Sequence, residues 1–151
     1  MNSVSMNLSE HFTLAEMCKT SANLDNVPNE AQMENLKRLC GWLETLRSEW
    51  NKRYGEGNDP IIINSGYRSE AVNKAVGGVK GSNHLSGCAA DIRVAGIEQL
   101  VRYATILLDI SDESKEDFDE LLLERSPKGN YWLHFAVRPS GNRRKVRLIQ
   151  T

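Results

Sequence analysis

The chain has 151 residues, 40% of them hydrophobic and 26% charged, the size and balance of a single domain spanning residues 1–151 with a core that needs no disulfide staples. Nineteen Lys and Arg against twenty Asp and Glu leave a formal charge of -1, so no global field favours a nucleic-acid backbone. No apolar run approaches the roughly 18 residues of a membrane helix, and no integral membrane association is expected.

The opening MNSVSMNLSE lacks the basic-then-apolar pattern of a Sec-type leader. Thr13 followed by Glu16 has the spacing of a capping box and predicts a short first helix. From Glu30 to Arg53, the residues Met33, Leu36, Leu39, Cys40, Leu43, Leu46 and Trp50 recur at three and four, which predicts the longest helix. Pro60 to Ile63 reads as a strand buried on both faces. Five glycines between Asn64 and Asp91 predict loops, with one short helix near Glu70 to Val76. Helical spacing returns from Ile97 to Leu108, and SDESKED after it reads as a charged connector. Phe118 to Glu124 and Tyr131 to Val137 are apolar-rich runs joined by RSPKGN, which predicts an antiparallel hairpin. VRLIQ adds an edge strand, and the basic cluster Arg143, Arg144, Lys145 and Arg147 reads as a solvated tail or a charge-protected edge rather than a contact for an anionic polymer. The expected class is α+β, a small antiparallel sheet with helices packed to one side.

Three cysteines, Cys18, Cys40 and Cys88, show no CxxC spacing, so reduced structural thiols are expected. The histidines are more informative. In GSNHLSGCAADI, glycines and small residues around His84 let the backbone bend into a strand on which Asp91 faces a site while Ile92 faces the core. His134 lies in the last hairpin. Two imidazoles and a carboxylate make a competent zinc set that leaves a fourth position for water. Pairing Leu121 to Glu124 with Trp132 to Phe135 sets Glu124 on the face of His134, where a carboxylate can accept a proton and later deliver it. Arg68, in SGYRS, can set a fixed positive charge against a developing oxyanion. Trp132 either stacks on substrate or packs beside the metal-binding strand. His11 is assigned no function.

SGYRS, VNKAVGG, SNHLSGCAADI and WLHFAV, in that order, resemble the motifs of the zinc-dependent M15 peptidases, and HFTLAEMCKTSA, ENLKRLC, LETLR and NRRKV extend the likeness to the phage and bacterial branch of that family. The resemblance implies a hedgehog/D-Ala-D-Ala-peptidase fold, Zn2+ held by His84, Asp91 and His134, and hydrolysis of bacterial peptidoglycan peptides. It places Arg68 on the arginine that steadies the substrate carbonyl and Ser82 on a polar position just before the first ligand. One position departs. The family's catalytic acid stands three residues before the last histidine, and here that residue is Tyr131, which leaves Glu124 as the expected base and Asp119 as its substitute. An endolysin-like endopeptidase is the leading expectation; a D-alanyl-D-alanine carboxypeptidase and an inactive zinc-containing wall-binding or phage structural module are the alternatives. A monomer is expected, either phage-encoded, made in the host cytoplasm and acting on the wall, or resident in the bacterial envelope.

Overall fold

Three of the four α-helices among the described residues start at a side chain that captures a free backbone amide, Thr13, Asn29 and Ser69. A computed structural model describes residues 6–151; MNSVS, the start of the segment read above for a leader, lies outside the described residues. Helix α1, Leu14–Met17, begins with the expected capping box: Thr13 accepts from the Glu16 amide, and the Glu16 carboxylate accepts from the Thr13 amide at 2.9 Å. Helix α2, Glu30–Arg53, opens with a second box made by Asn29 and Gln32. Its buried stripe is Leu36, Leu39, Cys40, Trp42, Leu43, Leu46 and Trp50. Strand β1 is Ile63–Ser65 and helix α3 is Glu70–Ala75. Strand β2, Ala89–Arg93, precedes helix α4, Ile97–Ser114, and strands β3, Glu120–Arg125, β4, Tyr131–Ala136, and β5, Lys145–Gln150, complete the chain.

The sheet order is β1-β2-β4-β3-β5. All neighbours are antiparallel except β3 and β5, which run parallel, so the all-antiparallel expectation is corrected to a mixed sheet. The cause is the short return at 137–144. Ala136 ends β4 opposite Glu120, the start of β3, and a brief connection from there can begin β5 only at that same end, where Lys145 pairs with Glu120.

Two further boundaries differ from the reading above. The Ile run does not form a strand buried on both faces: Ile61 and Ile63 are buried while Ile62 is exposed, and pairing starts only at Ile63. This is the alternation of an edge strand with one face on the core. Helix α4 continues past Leu108 through half of the charged connector. It does so because Ser111 is buried, with its hydroxyl donating to Glu116 O at 2.6 Å and accepting from Arg144 Nη1 at 2.6 Å, and Lys115 ends the helix at φ 61°.

Alternation then divides the sheet. Ala90, Ile92, Leu121, Leu133 and Phe135 face α2 and α4 in one core, where Trp42 meets Phe118 and Phe135 at centroid separations of 6.4 and 5.4 Å. The opposite phase of β2, β3 and β4 carries Asp91, Glu120, Leu122, Glu124, Trp132 and His134.

Candidate metal centre and active-site cleft

The site is built where β2 and β4 pair, because Asp91 and His134 are direct cross-strand partners. His84 reaches them from a 3-10 turn, Asn83–Ser86, whose first turn is capped by Ser82 Oγ accepting from the His84 amide at 3.1 Å. Gly87, at φ 76°, turns the chain from that segment toward β2. A side chain at Gly87 would meet Gln32 O at 2.6 Å, so both its conformation and its packing call for glycine.

Each imidazole is held from behind. His84 Nδ1 donates to Gly66 O at 2.7 Å, which leaves Nε2 toward Asp91 Oδ2 at 3.4 Å. His134 Nε2 lies 2.9 Å from Glu120 Oε1, and its Nδ1 faces Asp91 Oδ1 at 3.1 Å. His84, Asp91 and His134 thus bring one ligand atom each to within 4.8 Å of one another. The donor set fits a divalent ion, since two imidazole nitrogens and one carboxylate oxygen, with a carbonyl and a carboxylate behind the rings, form the pattern that fixes tautomers at metal sites.

The electrostatics follow from this packing. Burial pushes the Asp91 carboxyl up, but hydrogen bonds and charge from His134 and His84 outweigh it and hold the group well below the usual carboxylate range. Glu120 is lowered to about 2 by its hydrogen bond to His134, against burial and with help from Asn83. Burial pulls His134 down, while Asp91 and Glu120 together raise it to about 9. Glu124 moves the other way: burial and the nearby negative charge of Asp91 raise its pKa, and hydrogen bonding to Trp132 only partly opposes them.

Arg68, Ser82, His84, Asp91, Glu124, Trp132 and His134 all line one cleft of about 650 Å³. Arg68 stands against Asp91, with Nη2 3.3 Å from Oδ2, and is braced by Ser65 Oγ at 3.1 Å and Asn73 Oδ1 at 3.3 Å. Ser82 touches His84 through its backbone amide and so sets the turn. Cys88 is buried beside this turn and is no part of the ligand cluster. His11, left without a function, donates through Nδ1 to Glu44 at 2.6 Å and accepts from Arg47 at 3.0 Å, which ties the N-terminal arm to α2.

The two carboxylates weighed beside the metal occupy different places. Asp119 is fully buried, and its oxygens are taken by the Arg143 amide and guanidinium, by Asn83 Nδ2 at 2.8 Å and by Arg138 Nε at 3.2 Å. Glu124 is half-buried in the cleft opposite Trp132. Tyr131 packs against the core, its ring under Arg125 at 5.8 Å, and does not join the site face. Glu120 and Asn83 were not singled out from the sequence. Glu120 was legible by alternation, because residues 120, 122 and 124 share a face in any strand that places Glu124 beside His134. Asn83 carried no spacing signal; its amide donates to Asp119 and Glu120 and its carbonyl accepts from Arg138, contacts that only the folded turn creates.

A family model described as Peptidase M15 matches residues 10–111. That stretch includes Arg68, Ser82, His84 and Asp91 and ends before β3, so the placement of Glu120, Glu124, Trp132 and His134 rests on the geometry of the hairpin. No curated protein matches the chain.

Proposed function

Because the chain belongs to the peptidase M15 family, we propose that it is a zinc-dependent hydrolase of peptide bonds in bacterial peptidoglycan stem peptides or cross-links, acting as an endolysin-like endopeptidase. The observation that carries this reading is the convergence of His84, Asp91 and His134 ligand atoms within 4.8 Å at the floor of a cleft. His84, Asp91 and His134 would hold a zinc ion, which would supply the Lewis acidity for activating water and polarising the scissile carbonyl.

The chain's own residues supply the rest. Gly66 O and Glu120 hold the two imidazoles in the tautomers that present Nε2 of His84 and Nδ1 of His134. Glu124, raised by burial and by Asp91, is suited to take the proton of the attacking water and return it to the leaving amine. Arg68 keeps a guanidinium at the edge of the metal ligands, where negative charge grows on the carbonyl oxygen. Trp132 lies beside Glu124 and offers an aromatic wall to the substrate.

A second reading, a zinc-containing wall-binding or phage structural module without activity, is favoured by one observation, the Tyr131 that packs into the core where the family places an acid. Amino-group release from purified peptidoglycan separates the two, measured for zinc-loaded protein beside a chelated sample and His134→Ala, with bound zinc quantified. Release by the loaded protein alone is expected. Stoichiometric zinc and wall binding without release would replace the enzyme by the binding module.

A further inference from the structure

The far end of the cleft carries two arginines, Arg138 and Arg143, to which the proposed chemistry assigns no role. Arg138 and Arg143 line the same cleft as the metal ligands. Both are anchored from below on the buried Asp119: Arg143 forms a two-pronged pair through Nε at 3.0 Å and Nη2 at 2.8 Å, and Arg138 approaches through Nε at 3.2 Å. Asn83 Oδ1 takes the same Arg138 Nε at 3.0 Å. Arg143 Nη2 also lies 3.6 Å from Glu120 Oε2, so the two guanidiniums are balanced by two carboxylates, both held from one side. Arg138 is fixed by its inner nitrogen, so its two terminal nitrogens, and Nη1 of Arg143, meet no acceptor among the described residues and remain for a ligand. The side chains are 35% and 46% exposed, enough to reach a substrate while their bases are clamped.

The position along the sheet gives the polarity. Trp132 and His134 follow one another on the site face of β4, and Arg138, two residues past the strand's end at Ala136, lines the same cleft. At ~3.3 Å per residue, His134 and Arg138 are about 13 Å apart along the chain. Glu124 and Trp132 stand at one end of the cleft and the guanidiniums at the other.

We propose that Arg138 and Arg143 form a carboxylate clamp, so that the cleft selects peptides bearing a free carboxylate within a few residues of the scissile bond. Planar guanidiniums held at their bases match a carboxylate in a two-pronged geometry that a lysine does not reproduce. The inference rests on the peptidase reading above and names its substrate class. The carboxylate is either a C-terminal group, as a carboxypeptidase requires, or an acidic side chain within a longer peptide.

The test uses full-length zinc-loaded protein and three matched peptides: one with a free C-terminal carboxylate and neutral side chains, one with a C-terminal amide and an acidic side chain, and one with both groups amidated. Binding is measured calorimetrically on the Glu124→Gln protein, and kcat and KM on the unmodified chain. At least tenfold weaker binding and higher KM for the fully amidated peptide is expected, and whichever carboxylate peptide matches or exceeds the tighter binding identifies the source. Arg138→Gln should abolish that preference without weakening the amidated peptide, while Arg138→Lys should restore only part of it. Equal binding of all three peptides, or an equal loss on all three in Arg138→Gln protein of unchanged melting temperature, overturns the clamp. If no peptide is cleaved but the binding preference persists, the peptidase reading fails and the clamp stands.

Discussion

Glu120 and Glu124 lie four residues apart on one face of β3, yet their surroundings give them opposite tasks. Glu120 is held at about 2 by His134, so it stays a carboxylate and acts by orienting the ring. Glu124 is raised by burial and Asp91, which suits proton transfer. The two isosteric changes should therefore separate. Glu124→Gln is expected to lower kcat by roughly 10²- to 10⁴-fold with zinc content unchanged; a full-rate, zinc-replete variant would remove Glu124 from the proton path. Glu120→Gln is expected to weaken zinc about 10- to 100-fold in a chelator competition. Zinc affinity unchanged in that variant would show that His134 needs no partner at Nε2. Among site residues, those with a distinctive chemical type and a motif around them, His84, Asp91, His134 and Arg68, were legible in the chain. Asn83 and Arg138 were not, because amide and guanidinium side chains acquire their roles only through partners distant in sequence, such as Asp119 at 36 residues from Asn83.

At the scale of elements, helices that alternate capping residues with apolar stripes were read closely: α2 runs over Glu30–Arg53 as its spacing requires. The hairpin register was also legible, since Glu124 faces Trp132 and Leu121 faces Phe135 across a short turn. Strand β1 and the end of α4 were not, because an Ile run does not say which face will be buried, and a buried Ser111 is locally indistinguishable from an exposed one. The loop after β1 joins fold and site most tightly. Gly66 O accepts from His84, while a Cβ on Gly66 would lie 2.3 Å from Met17 O, the same carbonyl that accepts from the Tyr67 amide at 2.8 Å. Gly66→Ala must push the loop away from α1. We expect a loss of about 1–3 kcal/mol in urea unfolding, typical of forced overpacking, together with weaker zinc binding. Weakened zinc with stability unchanged would mean that the loop moves freely and that Met17 does not fix it.

Across the whole molecule, Asp119 ties together segments that the chain brings from far apart: the turn that carries His84, the start of β3, and the return loop that makes β5 parallel. Burial pushes this carboxyl up, but hydrogen bonds from Arg143 and Asn83 and the charge of Arg138 lower it from 3.8 to about 2. A folded pKa below the unfolded one means that the native state binds the proton less well. Its stabilisation is therefore fully present above about pH 4 and is lost as pH falls through about 2. The shift corresponds to about 2 kcal/mol at neutral pH. Asp119→Asn keeps the volume but removes the charge and sets an amide NH2 against donors, so the charge is read from the pH-dependent part of the loss. The difference in urea unfolding between metal-free wild type and variant should be larger at pH 7 than near pH 2 by about 2 kcal/mol, with most of that change still present at pH 4.5. Taking the difference between the two proteins cancels the titration of His134 and Asp91, which both retain. A gap that stays constant down to pH 2 would assign the loss to altered packing rather than to the charge, and the ion-paired knot would then be a steric feature of the return loop.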